Sequence, residues 1–421
     1  MLRTTRLVMI PVALLAALAP AALATNGYFT HGYGTQYKGM AGAGVALSLS
    51  TLGPATNPAS MAFLGTRLDL GCALFNPVRD YSVSGAPSGA PGAFGLAPGT
   101  VESGSDYFAI PHLGVNWELG TSTTLGFAFY GNGGMNTDYS VSTFGAGDTG
   151  INLSQMFLAP TCTYKLAEEH AVGVTPILAY QRFEARGVGS FAPFSSAAGS
   201  LSDNGVASAY GGGVRFGYMG QFSPYLSVGF SLQTRVWMSE FDEYKGLFAE
   251  QGDFDVPINF VVGFALKPLP TLDIAADVQQ VRYSNVKSVG NPLLPNLQQA
   301  LLGNDYGAGF GWENMTTYKF GVQWRSPGRI FWRGGYSYGQ QPIPASEMLF
   351  NILAPGVVEQ HATFGFSKLF GRGAELSFAL MRAFSKDVAG PNTLEAPGQQ
   401  TIALRMDEWE YELGFGYSFG K

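Results

Sequence analysis

From about Thr66 to the C-terminus, large apolar side chains recur at every second position, and few folds accommodate that pattern at this length. In the last segment Trp409, Tyr411, Leu413, Phe415, Tyr417 and Phe419 take one face. Glu408, Glu410, Glu412, Gly414, Gly416 and Ser418 take the other. The same alternation places Leu226, Val228, Phe230 and Leu232 opposite Ser227, Gly229 and Ser231, and Tyr318, Phe320, Val322 and Trp324 opposite Lys319, Gly321 and Gln323. A water-soluble sandwich also alternates, but its outer face is rich in charge. Here the non-apolar face is mostly Gly, Ser, Ala and Gln, and charged residues are only 13% of the chain where about a quarter is usual. Aromatic residues at 14% and 57 glycines suit strands with one flank in lipid and the other in a crowded lumen.

Fourteen strands are predicted, near 66–83, 105–118, 121–132, 152–166, 170–185, 205–221, 224–240, 253–267, 270–284, 316–326, 328–340, 357–370, 373–387 and 405–419. Their connections alternate between short turns, such as Ser223-Pro224 and Pro327-Gly328, and long loops near 84–104, 133–151, 186–204, 241–252, 285–315, 341–356 and 388–404. An even strand number with short turns at one end and long loops at the other is the pattern of bacterial outer-membrane barrels. The expected fold is therefore all-β, a 14-stranded antiparallel transmembrane β-barrel (66–421). Such a barrel is wider than the eight strands whose lumen side chains alone fill. Residues 25–65 lack the alternation and are available as an N-terminal hatch inside the lumen.

The N-terminus reads as a signal peptide over 1–24. Arg3 and Arg6 precede an apolar run from Leu7 to Leu18, too short for a spanning helix, and Ala22-Leu23-Ala24 supplies a cleavage site. The net charge of −6 argues against a nucleic-acid partner. Cys72 and Cys162 fall on the apolar face of strands that are not neighbours, so free thiols are expected rather than a disulfide.

Two stretches carry a family resemblance. Gly34-Thr35-Gln36-Tyr37-Lys38-Gly39-Met40-Ala41-Gly42-Ala43-Gly44, followed by Thr56-Asn57-Pro58-Ala59-Ser60-Met61, resembles the N-terminal hatch of the FadL family of outer-membrane transporters for long-chain fatty acids and related hydrocarbons. Hatch positions by this resemblance are Gly39, Gly42, Gly44, Asn57, Pro58 and Ala59. The stretch Tyr130 to Tyr139 is similar to the place where that family kinks its third strand and opens the wall sideways. The implied lateral opening covers Gly131, Asn132, Gly133, Gly134 and Met135, since glycine weakens strands and marks bulges. On residue type alone the same stretch also reads as a hairpin loop. The chain departs from the family pattern at Ser48-Leu49-Ser50 and Ser60, and ends Phe419-Gly420-Lys421 rather than on the aromatic.

The resemblance implies passive uptake of a hydrophobic small molecule, a fatty acid or an aromatic or alkane hydrocarbon, by a monomer among outer-membrane lipids and lipopolysaccharide. The implied steps are capture by loops, an internal apolar pocket, hatch rearrangement and lateral exit, with no cofactor or metal. Phe191, Phe194, Tyr244, Leu247 and Phe248 are candidates for the loop groove, with mutual loop packing as the alternative. Met40, Met61, Phe63 and Leu64 are candidate pocket lining or hatch core. A fatty-acid carboxylate would need a cation, and Arg215, Arg235, Lys319, Arg325 and Arg333 have lumen-facing parity. Lumenal acids such as Asp273, Asp277, Glu375, Glu408, Glu410 and Glu412 compete for them. The apolar spacing of Leu293 to Leu302 predicts a short amphipathic cap. A porin for polar solutes is the rival within transport. A lipid-modifying enzyme using His112 or His361 is the rival outside it, although no metal or nucleophile motif supports catalysis.

Overall fold

The structure, a computed structural model, describes residues 26–420; the expected signal segment therefore lies outside the described residues, apart from which the whole barrel is described except its final residue. Fourteen antiparallel strands form the wall: β1 (Arg67–Ser84), β2 (Phe108–Leu119), β3 (Thr123–Tyr139), β4 (Thr149–Ala167), β5 (His170–Arg186), β6 (Ala207–Ser223) and β7 (Leu226–Gln233), then β8 (Asn259–Leu269), β9 (Leu272–Val281), β10 (Met315–Ser326), β11 (Ile330–Gly339), β12 (Gln360–Phe370), β13 (Ala374–Pro391) and β14 (Thr401–Ser418). Each pairs with its neighbours in sequence, and β1 closes the ring on β14 from Arg67 opposite Ser418 to Ser84 opposite Thr401. Closure leaves no sheet edge at the β1–β14 seam for another chain to extend.

The outward flank is apolar throughout. Leu70, Leu74, Trp324, Tyr411, Leu413 and Phe415 are all exposed. Soluble monomers seldom expose contiguous apolar patches beyond a few hundred Å². A band running round the whole wall demands hydrocarbon as its solvent. Cys72 and Cys162 are free thiols on this exposed flank.

Several boundaries differ from the sequence expectation. The segment predicted as one strand over 224–240 stops its ladder with β8 at Gln233; Trp237 and Met238 fold back onto Gly212 and Gly211 of β6. The strand predicted from 253 begins at Asn259, because 253–258 belongs to the preceding loop. The loop predicted over 388–404 shrinks to 392–400, since β13 and β14 continue their ladder to Pro391 opposite Thr401. The expected cap over Leu293–Leu302 contains only a four-residue helix, Asn296–Gln299, with Leu293, Leu297 and Leu302 buried beneath it.

The largest correction concerns 133–151. It is not a loop: β3 runs on to Tyr139, paired with β4 from Tyr130 opposite Phe157 to Tyr139 opposite Thr149. A register shift between Gly131 and Gly133 leaves Asn132 as the extra residue of a bulge. On the other side, β2 follows β3 only from Leu119 to Leu113 and the pairing ends at Phe129. β2 itself continues along β1 to Phe108, and Pro111 in that upper part has no N–H to give. The in–out alternation of β3 ceases at Ala128, and from there to Thr137 nearly every residue is buried. The strand thus turns away from β2 into the lumen.

Residues 26–66 fill that lumen with short helical turns, Thr35–Lys38, Gly53–Ala55 and Pro58–Phe63. Their first backbone groups replace the missing β2 partner. Gly134 donates its N–H to the Tyr28 carbonyl at 3.0 Å, and Thr30 donates to the Asn132 carbonyl at 3.2 Å. A Cβ on Gly133 would lie 1.9 Å from the Tyr28 oxygen, so this approach requires glycine.

Candidate functional site

Side chains of the N-terminal segment are anchored to the wall by buried polar contacts. Lys38 donates to Glu410 and, at 2.7 Å, to Glu412, all three almost wholly buried. Thr35 donates to the same Glu412 at 2.8 Å and Gln36 to Glu375 at 3.2 Å. These acids are the inward residues of β13 and β14, so their parity aims them at the segment. A buried charge set of this kind is tolerated because each cation meets a carboxylate; removing one partner strands the other. On the opposite side Asp277 accepts the N–H groups of Gly44 and Val45 at 2.7 and 2.9 Å. Asn57 donates to the carbonyls of Val45 and Tyr218 at 2.7 and 2.9 Å while accepting from the Ala59 N–H, capping the turn that starts at Pro58. The Pro58 carbonyl accepts from Thr163, and Thr363 donates to the carbonyl of Gly39. Gly42 has φ 74°, and a Cβ there would sit 1.9 Å from the His31 oxygen.

Above the segment, at the long-loop end, lies a small apolar cavity of about 30 Å³ lined by Ile151, Phe183, Val188, Phe191, Leu247, Phe248, Leu302, Ala308, Phe310, Phe350 and Leu353, with Ser288 as its polar side chain. Rings continue from it toward the kink. Phe248 packs on Phe254 at 4.9 Å, Phe254 on Tyr28 at 6.0 Å, and Tyr28 on Tyr283 and Trp312 at 5.0 and 5.8 Å. Trp312 then lines a second, very small cavity of about 10 Å³ with Gly134, Met135, Asn136, Phe75, Pro77 and Arg79. An aromatic column therefore joins the loop cavity to the place where β2 and β3 part.

Two further spaces are polar. One of about 20 Å³ lies between the segment and the wall, lined by Tyr33, Thr56, Asn259, Gln279, Arg215 and Lys319 among others. Arg215 there is fully buried and, among the described residues, donates to neutral acceptors, the Pro54 carbonyl at 2.8 Å, Tyr130 and Gln233. Lys319 donates to the His31 carbonyl at 2.8 Å. The last space, about 480 Å³, opens at the short-turn end.

With this geometry in hand, comparison with known proteins is decisive for the family. The model of the family described as "outer membrane protein transport protein (OMPP1/FadL/TodX)" matches residues 12–393. The chain belongs to this family. Among solved structures it is similar to a FadL homologue of Pseudomonas aeruginosa (16% identity, 93% of this chain and 100% of that one, TM-score 0.68). It is likewise similar to the toluene transporter TodX of Pseudomonas putida (15%, 93% and 99%, 0.66) and the toluene transporter TbuX of Ralstonia pickettii (17%, 91% and 98%, 0.60). At these identities the likeness establishes the fold, a closed barrel of fourteen strands. No curated protein matches by sequence. As a member of the FadL/TodX family the chain is an outer-membrane transport protein, with its short turns on the periplasmic side.

The residues singled out from the sequence separate into distinct places in this family member. Phe191, Leu247 and Phe248 line the loop cavity. Tyr244 is buried beside it, its ring 4.9 Å from Phe183 and its hydroxyl donating to Gly205, whereas Phe194 is exposed. Of the candidate cations, Arg215 and Lys319 meet in the inner polar space, while Arg325 and Arg333 lie at the short-turn mouth with Phe63 and Leu64. Arg235 leaves the wall with the broken end of β7 and pairs with Asp255 at 3.3 Å, so its expected lumen-facing strand position is not realised. Met40 packs with Ala43 and Ala275, and the Met61 carbonyl accepts from Asn116 at 3.1 Å, so both belong to the packing of the segment. Gly131 to Met135 form the kink, with Asn132 bridging Tyr33 and Gln155 at 3.0 Å each.

Sequence reasoning missed Tyr28, Phe254, Tyr283, Trp312 and Phe350. Their signal was faint, isolated aromatics in loops and in a segment without periodicity. His112 stands 3.5 Å from Glu412, and His361 contacts Ser337 at 3.2 Å, both sealed beneath the N-terminal segment.

Proposed function

We propose that the protein carries uncharged hydrophobic molecules passively across the outer membrane. The observation that carries this reading is the continuous column of apolar and aromatic side chains from the loop cavity through Phe248, Phe254, Tyr28 and Trp312 to the gap between β2 and β3. The loop cavity is walled by apolar side chains and at about 30 Å³ is nearly closed, so a guest enters by parting its rings. A charged solute would lose its hydration there without a partner. The toluene transport named for TodX and TbuX fits the same chemistry.

Capture would begin with the molecule wedging between Phe191, whose ring packs 5.1 Å from Phe350, and the Leu247–Phe248 side. Passage past Tyr28 needs the first residues of the N-terminal segment to shift, because they are hydrogen-bonded to the kink. Release then goes sideways between Phe108–His112 of β2 and Tyr130–Met135 of β3, directly into lipid and clear of the lipopolysaccharide layer. Flux needs no energy source when downstream reactions consume the solute. The protein acts as a monomer in this scheme, and no step calls for catalysis.

A carboxylate-headed molecule is the second reading, favoured by buried Arg215, which lacks an acidic partner among its hydrogen bonds and faces the inner polar space together with Lys319. Uptake of radiolabelled toluene, decane and oleate by vesicles containing the purified protein discriminates the two. Toluene or decane flux that survives Arg215→Gln supports the first, oleate flux abolished by Arg215→Gln supports the second, and arabinose swelling without hydrocarbon flux would return the protein to the porins.

A further inference from the structure

The short-turn mouth is built differently from any other part of the lumen. Six cationic side chains, Arg67, Lys267, Arg325, Arg329, Arg333 and Arg372, line it against two carboxylates, Asp273 and Glu375, in a chain whose net charge is −6. Both carboxylates are engaged. Glu375 meets Arg67 at 2.9 Å, and Asp273 accepts from Gln323 at 3.0 Å. The deeper cations are held as well: Arg67 also pairs with Asp69 at 2.6 Å, and buried Arg333 donates to Gln323 and Ser367. The rim is different. Lys267, Arg325 and Arg372 are exposed and, among the described residues, have no acidic group within 4.0 Å. Arg325 stands over the Phe331 ring at 4.9 Å, which steadies its guanidinium at the entrance, and the deeper Arg333 lies 5.7 Å from the same ring.

Below the rim the lining changes from charged to apolar. Leu47, Leu49, Phe63 and Leu64 of the N-terminal segment face the same space as Phe331 and Leu369 of the wall. All six are half-buried. At about 480 Å³ it is the largest of the four spaces, with room for an alkyl chain. Unpaired cations above a greasy floor are complementary to one chemical form, an oxyanion head with a single hydrocarbon tail.

We propose that this mouth is a binding site for a single-chain anionic amphiphile, its head on Arg325, Arg372 and Lys267 and its tail along Leu47, Leu49, Phe63 and Phe331. Guanidinium groups hold carboxylate or phosphate oxygens through charge-assisted bonds, and the exposed rim keeps that hold sensitive to salt. Two sources supply such a molecule at this face, a free fatty carboxylate and a lysophospholipid of the inner leaflet. The site is separate from the apolar route and stands or falls without it.

Photo-crosslinking of the full barrel in a nonionic detergent tests it. Diazirine-bearing palmitate is expected to label peptides containing Leu47–Phe63 and Phe331, while the matching diazirine alcohol labels them weakly. Arg325→Gln/Arg372→Gln/Lys267→Gln should cut palmitate labelling there by roughly tenfold or more, as lost charge-assisted bonds imply. Arg325→Lys/Arg372→Lys should retain most of it, and heat-modifiable gel migration verifies that each variant is folded. Stronger competition by lysophosphatidylglycerol than by palmitate assigns the head to a leaflet lipid, and the reverse to a free fatty acid. Equal labelling by the alcohol, undiminished labelling of the triple variant, or label confined to the loop cavity overturns the proposal. Ala308→Asp, which alters only the loop cavity, should leave labelling at the mouth unchanged and so separates this site from the transport route.

Discussion

The two ends of the lumen are opposites in chemistry. The long-loop end is a narrow cavity walled by rings and aliphatic side chains, with Ser288 as its polar side chain, whereas the short-turn end is wide and ringed by cations. Between them sits one folded segment, anchored differently on its two sides. Toward β13 and β14 it is held by buried ions, Lys38 with Glu410 and Glu412. Toward β3 it is held by backbone bonds at Tyr28 and Thr30 that exist only because β2 has let go. In the proposed transport route this difference would let seal and gate be separate devices. Buried ion pairs offer an apolar guest nothing to bind, while the β3 side, with its two backbone bonds and the Tyr33–Asn132 bond, lies beside the aromatic column that such a guest would enter.

The ionic side yields the largest expected effect. Lys38→Met leaves two carboxylates buried together and should cost about 3–5 kcal/mol, as loss of one partner of a buried pair does. Guanidinium unfolding of the vesicle-inserted protein measures it, and Lys38→Met/Glu410→Gln/Glu412→Gln should recover most of the loss. Sugar-driven liposome swelling by Lys38→Met would locate the seal on this side; full stability with no leakage would erase the contrast between the two anchors.

The gate side is expected to respond next. Gly133→Ala drives a methyl group into the Tyr28 carbonyl, a clash worth about 1–3 kcal/mol in a packed interior. The expected result is faster protease cleavage within residues 26–35 with the barrel intact, and wild-type protection would deny Gly133 this role. At the loop end, Ala308→Asp puts an unpaired carboxylate into the apolar cavity, and uptake of toluene should fall by about tenfold, equivalent to ~1.4 kcal/mol. Unchanged uptake would mean that the route bypasses this cavity.

The smallest effect expected is on pH. Burial pushes the Asp253 carboxyl in the fourth long loop up to about 7, with Asp255 beside it adding like-charge repulsion. A carboxyl raised in the folded loop favours that fold while protonated, so loop packing is strongest well below neutrality and weakens as pH rises through about 7. Amide-exchange protection of residues 241–256, taken relative to the intrinsic rate at each pH, should fall across that interval, and Asp253→Asn should flatten the dependence. Protection that rises with pH would reverse the assignment.

Much of the wall was legible because alternating side chains report the solvent on each flank, and every one of the fourteen strands was found by that signal. It failed where side chains stop reporting. Gly131, Gly133 and Gly134 have no side chain to alternate, so a paired strand looked like a loop until its ladder with β4 was seen. Arg235 kept the parity of its strand in sequence although one extra residue between Gln233, opposite Arg215, and Trp237, opposite Gly212, had already shifted the register against β6. The cations on β6, β10 and β11 were readable as lumen-facing, but which of two distant spaces each would enter depends on height along the barrel, to which parity is blind. The N-terminal segment shows the same limit: Lys38 and the glutamates were both in view, yet nothing local links residues so far apart.

That separation has a consequence for how the molecule is made. Lys38 lies 372 residues from Glu410, its partner on the strand that completes the ring. Residues synthesised early must therefore wait, unseated, until the final hairpin has been laid against β1, since contacts of such long sequence separation pay their loop entropy late. The stopper goes in after the vessel is finished, and an assembling barrel stays open and vulnerable in the interval.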